Sequence, residues 1–199
     1  MPFGHKHRPN MHLTHIPIDL PAWAEPIENA APCFPGDTDK MGLVIGLARN
    51  NIEQGLHGPF AAAIFERGSG RLVAIGVNSV VRLGNSAMHA EMMAIMRAQQ
   101  TIGAYTLNRS NHPGYELFAS CEPCAMCLGG TLWSGVNRLV CGAEADVARA
   151  AGFDEGPVFA ESYRHLENAG IEVVRGVLRT ESAGVIHLYQ ARGGAIYNR

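Results

Sequence analysis

Residues 59–81 read PFAAAIFERGSGRLVAIGVNSVV. Two runs of small apolar and β-branched side chains flank Gly68-Ser69-Gly70, and glycine supplies the positive φ that a tight reversal needs. The stretch is therefore predicted to form a β-hairpin. Upstream, Met41, Val44, Ile45, Leu47, Ala48 and Ile52 recur at helical spacing, with Asp37 or Thr38 placed to cap the helix and Gly55 to stop it. Downstream, a helix is expected over 88–100 with Met92, Met93, Ile95 and Met96 on its buried side, followed by a strand in YELFAS (115–120). CEPCAMCLGGTLWSG (121–135) reads as a short helix, NRLVCGA (137–143) as a strand, and 144–151 and 158–169 as helices. A fifth strand in IEVVRGVL (171–178) and a last helix over 180–192 complete the chain. A hairpin followed by alternating helices and strands implies the α/β class: a three-layer α/β/α sandwich around a central five-stranded mixed sheet.

The division along the chain follows from composition. Residues 1–37 hold seven of the eleven prolines, which fix φ and remove a donor, so this arm is expected to be extended across the body or partly mobile. Its histidines, His5, His7, His12 and His15, are irregularly spaced and read as solvated. Residues 38–179 form the main domain, and 180–199 a C-terminal helix and tail.

Of the 199 residues 47% are hydrophobic and 17% charged, as in a folded globular protein. Sixteen basic against eighteen acidic residues give a net charge of −2, without the basic surplus of a nucleic-acid binder. No apolar run reaches the roughly 18–20 residues of a membrane span, and the N-terminus lacks the apolar core of a secretory signal. Five cysteines are an odd set, and Cys121, Cys124 and Cys127 fall within seven positions. That pattern argues for reduced, cytoplasmic thiols with a local metal role rather than a disulfide scaffold.

Two segments carry chemistry: His89-Ala90-Glu91 and Pro123-Cys124-Ala125-Met126-Cys127. Helical residues three apart share a face, so Cys124 and Cys127 can present two sulfurs to one ion, and His89 an imidazole from the start of the preceding helix. Two sulfurs and one nitrogen suit zinc and leave one tetrahedral position for water, whose pKa falls to roughly 7 in open zinc sites. Glu91, two positions past His89, is aimed past the metal toward that water and the substrate, as a general acid/base.

H-x-E followed by P-C-x-x-C is a signature of zinc deaminases. Over about residues 38–155 the sequence resembles the cytidine and deoxycytidylate deaminase superfamily. The run Ala151-Gly152-Phe153-Asp154-Glu155-Gly156-Pro157 is most similar to bacterial guanine deaminases of that fold. The resemblance implies one zinc per subunit on His89, Cys124 and Cys127, with Glu91 shuttling protons. It implies Asn78 gripping the base, with Ala90 as a further substrate contact, and Glu155 as a second carboxylate assisting at the substrate. It also implies a homodimer in which the C-terminal segment crosses to close the partner's site, with Tyr197-Asn198-Arg199 as a lid. Trp133 and Phe60 are the aromatic candidates for packing on the base, and a core role is open for both.

The expected reaction is hydrolysis of a free nucleobase, guanine to xanthine and ammonia. Cytosine, a nucleoside, an amino-triazine such as ammeline or, least of all, tRNA adenosine stand as alternative substrates. A non-enzymatic alternative has Cys121 join His89, Cys124 and Cys127 in a closed Cys3His zinc module. Asp154 competes with Glu155. Cys33 reads as a loop thiol and Cys141 as core, and His57, His112, His165 and His187 read as surface or satisfied positions.

Overall fold

The computed structural model describes residues 16–55 and 57–198. The expectations for His5, His7, His12, His15 and Arg199 lie outside them. Among the described residues no helix is long and apolar enough to cross a membrane.

The hairpin of β1 (Ala61–Glu66) and β2 (Leu72–Val77) starts the sheet, with Ala61 opposite Val77 and Ala63 opposite Ile75. β3 (Tyr115–Cys121) pairs antiparallel with β1, while β4 (Arg138–Ala143) and β5 (Glu172–Val174) add parallel to β3 in turn. The order is β2-β1-β3-β4-β5, a mixed five-stranded sheet. Strand alternation splits the core in two. Ala61, Ala63 and Phe65 face α2 (Asp37–Glu53) and α8 (Arg179–Ala191), while Ala62 and Ile64 face α4 (Ala90–Ile102). α5 (Ala125–Ser134) and α7 (Ala160–Asn168) extend the second layer, and α6 (Ala145–Ala150) packs with α8.

Three local expectations are corrected. The N-cap of α2 is Gly36, with no side-chain cap; Asp37 is instead the first helical residue, and its carboxylate takes two hydrogen bonds from Arg138 at 2.7 and 2.8 Å. β2 ends at Val77, and Val80–Leu83 form a one-turn helix, α3, because the chain must turn at Asn78 to enter the site. β5 stops at Val174, before Gly176 at φ +80° and Leu178 at φ +51° bend the backbone.

The proline-rich segment contains a short helix, α1 (Glu25–Asn29), opened by a proline in its first turn, where the missing N–H is no loss. Its residues from Glu28 to Phe34 run along the free edge of β2. Glu28 Oε2 accepts the N–H of Ile75 at 2.7 Å, the carbonyl of Pro32 accepts that of Leu72 at 2.9 Å, and Phe34 donates to Gly70 at 2.9 Å. Arg97 of α4 pairs with the same Glu28 carboxylate and donates to the carbonyl of Ile18 at 2.9 Å, tying the arm to the body.

At the sheet end formed by the starts of β3 and β4, Lys40 and Glu116 form a buried ion pair that Arg138 joins, and Arg138 also reaches Asp37 and Glu172. The opposite end, outside the carboxyl ends of the parallel strands, is where ligands bind in open α/β sheets.

Candidate active site

Two helix starts converge there. His89 is the N-cap of α4 and Cys124 the N-cap of α5, both with extended backbone, so each side chain projects from the first turn rather than along the helix. Close packing of α4 on β2 sets the position of His89. A Cβ on Gly76 would sit 2.0 Å from the carbonyl oxygen of Ala90 and 2.6 Å from the nitrogen of Ala94, so only glycine admits the helix.

Nδ1 of His89 lies 3.5 Å from Sγ of Cys124, and with Cys127 these ligand atoms all fall within 4.8 Å of one another. Zinc bonds of about 2.3 Å to sulfur and 2.0 Å to nitrogen place two tetrahedral ligands roughly 3.5 Å apart, so the trio matches the ion. Cys121 is not part of the cluster. It ends β3, and its thiol donates to the carbonyl of Glu144 at 3.7 Å. No fourth sulfur among the described residues closes the site.

The electrostatics follow from burial and from a helix start. The hydrogen bond from Cys127 outweighs burial and, with that from His89, holds the Cys124 thiol down at about 4; an α-helix N-terminus also favours the thiolate. Cys127 is correspondingly pushed up. Burial works against charging His89, but Cys124 and the nearby carboxylates override it and its pKa rises. Glu91 is buried and pushed up to about 7, by desolvation first and the Cys124 charge second. Glu155 rises to about 8 for the same two reasons.

The cavity beside the trio is lined by Phe60, Ala61, Asn78, His89, Glu91, Ser120, Cys121, Glu122, Cys124, Glu155, Tyr197 and Asn198. Asn78, Phe60, Glu91, Glu155 and Tyr197 are thus brought together with the metal ligands. Phe60 packs edge-on against Phe153 with ring centroids 5.0 Å apart. Asp154 is exposed, and its carboxylate accepts the N–H of Gly156 at 2.8 Å, whereas Glu155 is buried and joins Glu91 and Glu122 in the wall. In the single chain the tail lies over its own site. The Tyr197 ring sits 6.4 Å from that of His89, and Tyr189 of α8 holds the turn by donating to the carbonyl of Ala195 at 2.7 Å.

One expected contact is corrected, and another is narrowed to its main chain. Trp133 is 82% exposed and absent from the cavity wall; two positions beyond buried Thr131, it falls on the outer face of α5. The Ala90 side chain is fully buried toward β2, so only its main-chain N–H, at the first turn of α4, remains for a ligand.

One residue that sequence reasoning passed over, and one that it named only as part of the lid, complete the site. Asn51 on α2 is fully buried, and its Nδ2 donates to the carbonyls of Gly58 at 2.9 Å and Asn78 at 3.0 Å. Its signal was an amide within the apolar stripe Val44, Ala48, Ile52. Asn198 stands in the cavity wall beside Tyr197 and had no motif around it.

The cytidine and deoxycytidylate deaminase zinc-binding region matches residues 37–143. The solved guanine deaminase from Nitrosomonas europaea is 41% identical with a TM-score of 0.86, over 89% of this chain and 97% of that one. A second solved structure, in complex with 2,6-diaminopurine, is 42% identical with a TM-score of 0.87, covering 92% of this chain and 97% of that one. The guanine deaminase of Bacillus subtilis (strain 168) is 36% identical over 117 residues, 59% of this chain and 70% of the relative. A metal trio at two helix starts, a buried carboxyl beside it and a family match across the whole arrangement have one reading: the chain belongs to the zinc-dependent cytidine and deoxycytidylate deaminase family.

Proposed function

We propose that the protein is a guanine deaminase that converts guanine and water to xanthine and ammonia. The observation that carries this is a further buried carboxyl, Glu155, in the same wall as Glu91 and Asn78 and beside the metal trio, where Glu122 is taken up by Arg175. Guanine presents N–H donors beside its carbonyl, and a carboxylate with an amide can meet both kinds of group. Relatives named for guanine deamination support the choice of base.

His89, Cys124 and Cys127 hold the zinc, which when bound polarises water and lowers its pKa. Glu91 takes a proton from the attacking water as the new C–O bond forms at the amine-bearing ring carbon. It passes that proton to the adjacent ring nitrogen and then carries the proton of the new hydroxyl to the amine, so that the C–N bond breaks, ammonia leaves and the carbonyl forms. Asn78 and Glu155 orient the base, with Phe60 and Tyr197 as apolar walls and the Ala90 N–H as a further contact. Residues 38–179 form the deaminase domain, carrying the arm 1–37 at one end and the helix and tail 180–199 at the other.

The assembly proposed is a cytoplasmic homodimer. The exposed Trp133 and Met126 on α5 offer an apolar face to a second copy, and all five cysteines are free thiols. In the dimer the tail has a second available place, the partner's site.

Ammonia release from guanine, adenine, cytosine, guanosine, ammeline and tRNA by the zinc-loaded protein tests the reading. Guanine is expected to be the best substrate, and no release from guanine at full zinc content would overturn it.

A further inference from the structure

Three side-chain polar atoms in the cavity wall are shielded from solvent and have no hydrogen-bond partner: Nδ2 of Asn78, Oη of Tyr197 and Oδ1 of Asn198. Unmet buried polar atoms are destabilising, and three around one cavity mark where the polar edge of a ligand fits. Their orientations are set by the chain. Asn78 Oδ1 accepts the N–H of Val80 at 3.3 Å, which leaves its amide N–H2 to donate. Asn198 is fixed the opposite way. Its Nδ2 donates to the carbonyl of Asp154 at 2.7 Å, the N–H of Asp154 donates to the carbonyl of Asn198 at 3.1 Å, and Oδ1 is left over as an acceptor.

We infer that Asn198 is a specificity-determining residue whose Oδ1 accepts the imidazole N–H of the bound base, held in that orientation by its bridge to Asp154. The inference rests on the reading of the site as a purine deaminase. The amine-bearing carbon of guanine must face the metal trio, which turns the imidazole ring toward the rest of the cavity wall, where Asn198 stands. An amide oxygen can only accept, so it requires a ring N–H. A nucleoside has replaced that N–H with its glycosidic bond. The contact therefore selects a free base over a nucleoside, and does so from the tail rather than from the metal-bearing helices.

The test compares kcat/KM of the wild type and Asn198→Leu, at equal zinc content, on guanine, 7-methylguanine and 9-methylguanine. Leucine keeps the branched shape of asparagine, is somewhat larger, and has no acceptor. The wild type is expected to prefer guanine over at least one methyl derivative by more than about 10-fold, and in N198L that preference is expected to fall by about 10-fold, because the derivative methylated at the contacted nitrogen has no bond to lose. A uniform loss on all three substrates would make Asn198 only a latch for the tail, and an unchanged profile would give it no role; either overturns the inference. If the wild type releases no ammonia from guanine, the guanine reading fails separately. The same comparison, made with whichever base it does deaminate and that base's N-methyl derivatives, then decides Asn198.

Discussion

His89 and Cys124 are 35 positions apart in the chain and meet, Nδ1 to Sγ, at 3.5 Å, because α4 and α5 both begin at the same end of the sheet. Each start supplies part of the metal trio. Replacing Cys124 by Ser is expected to weaken zinc binding by more than about 100-fold. Metal content by mass spectrometry and ammonia release should fall together in this variant.

Glu91 touches the same cavity without being a ligand, so its loss should separate metal from turnover. Glu91→Gln is expected to retain one zinc per chain while kcat drops by about 10²–10⁴-fold. Turnover near the wild-type level would remove the proton-shuttle role.

Asn51 acts from behind the wall. Asn51→Ala leaves the carbonyls of Gly58 and Asn78 buried without their donor, which is expected to cost roughly 2–4 kcal/mol. A thermal melt should show a midpoint lower by roughly 4–16 °C. At a temperature where the variant remains folded, KM should rise because Asn78 is no longer held.

Gly58 lies beside both the tail and the Asn78 amide. A Cβ there would stand 2.5 Å from Oη of Tyr197 and 2.8 Å from the Asn78 amide. Gly58→Ala should displace one or both and lower kcat/KM by roughly 10²-fold, the cost of an ångström-scale misplacement. Zinc content should stay unchanged.

Asp37 governs part of the acid response. The hydrogen bonds from Arg138 lower its carboxyl against the opposing effect of burial. Its folded pKa lies below the unfolded value of about 3.9, so its contribution is fully present above that pH. It is lost as pH falls through the folded value. Asp37→Asn should therefore reduce stability at neutral pH by about 1 kcal/mol, since the pair is partly exposed. It should also flatten the decline below pH about 4, as read from urea midpoints across the acid range.

Local pattern made much of this legible before any coordinates. Two β-rich apolar runs about a glycine turn in 61–77, and the three-residue offset of Cys124 and Cys127, are properties of neighbouring residues, and they correctly anticipated the hairpin and the paired thiols. What escaped depends on contacts between distant segments. Asp37 was read as a cap because its partner, Arg138, is 101 positions away. Trp133 was placed at the base because it follows the metal segment in sequence, whereas helical rotation turns it outward. Asn198 gains its meaning only from Asp154, 44 positions earlier, and no spacing rule reaches that far.

The lateral strand of a sheet is a template for another chain, since its outward N–H and carbonyl groups seek any extended peptide. Here Glu28, Pro32 and Phe34 occupy several of those groups along 70–75. Proteolytic loss of the leading segment would thus do more than trim a terminus. It would uncover a ready seed for intermolecular strand addition, and the shortened protein should be prone to fibrous self-association even with its metal site untouched.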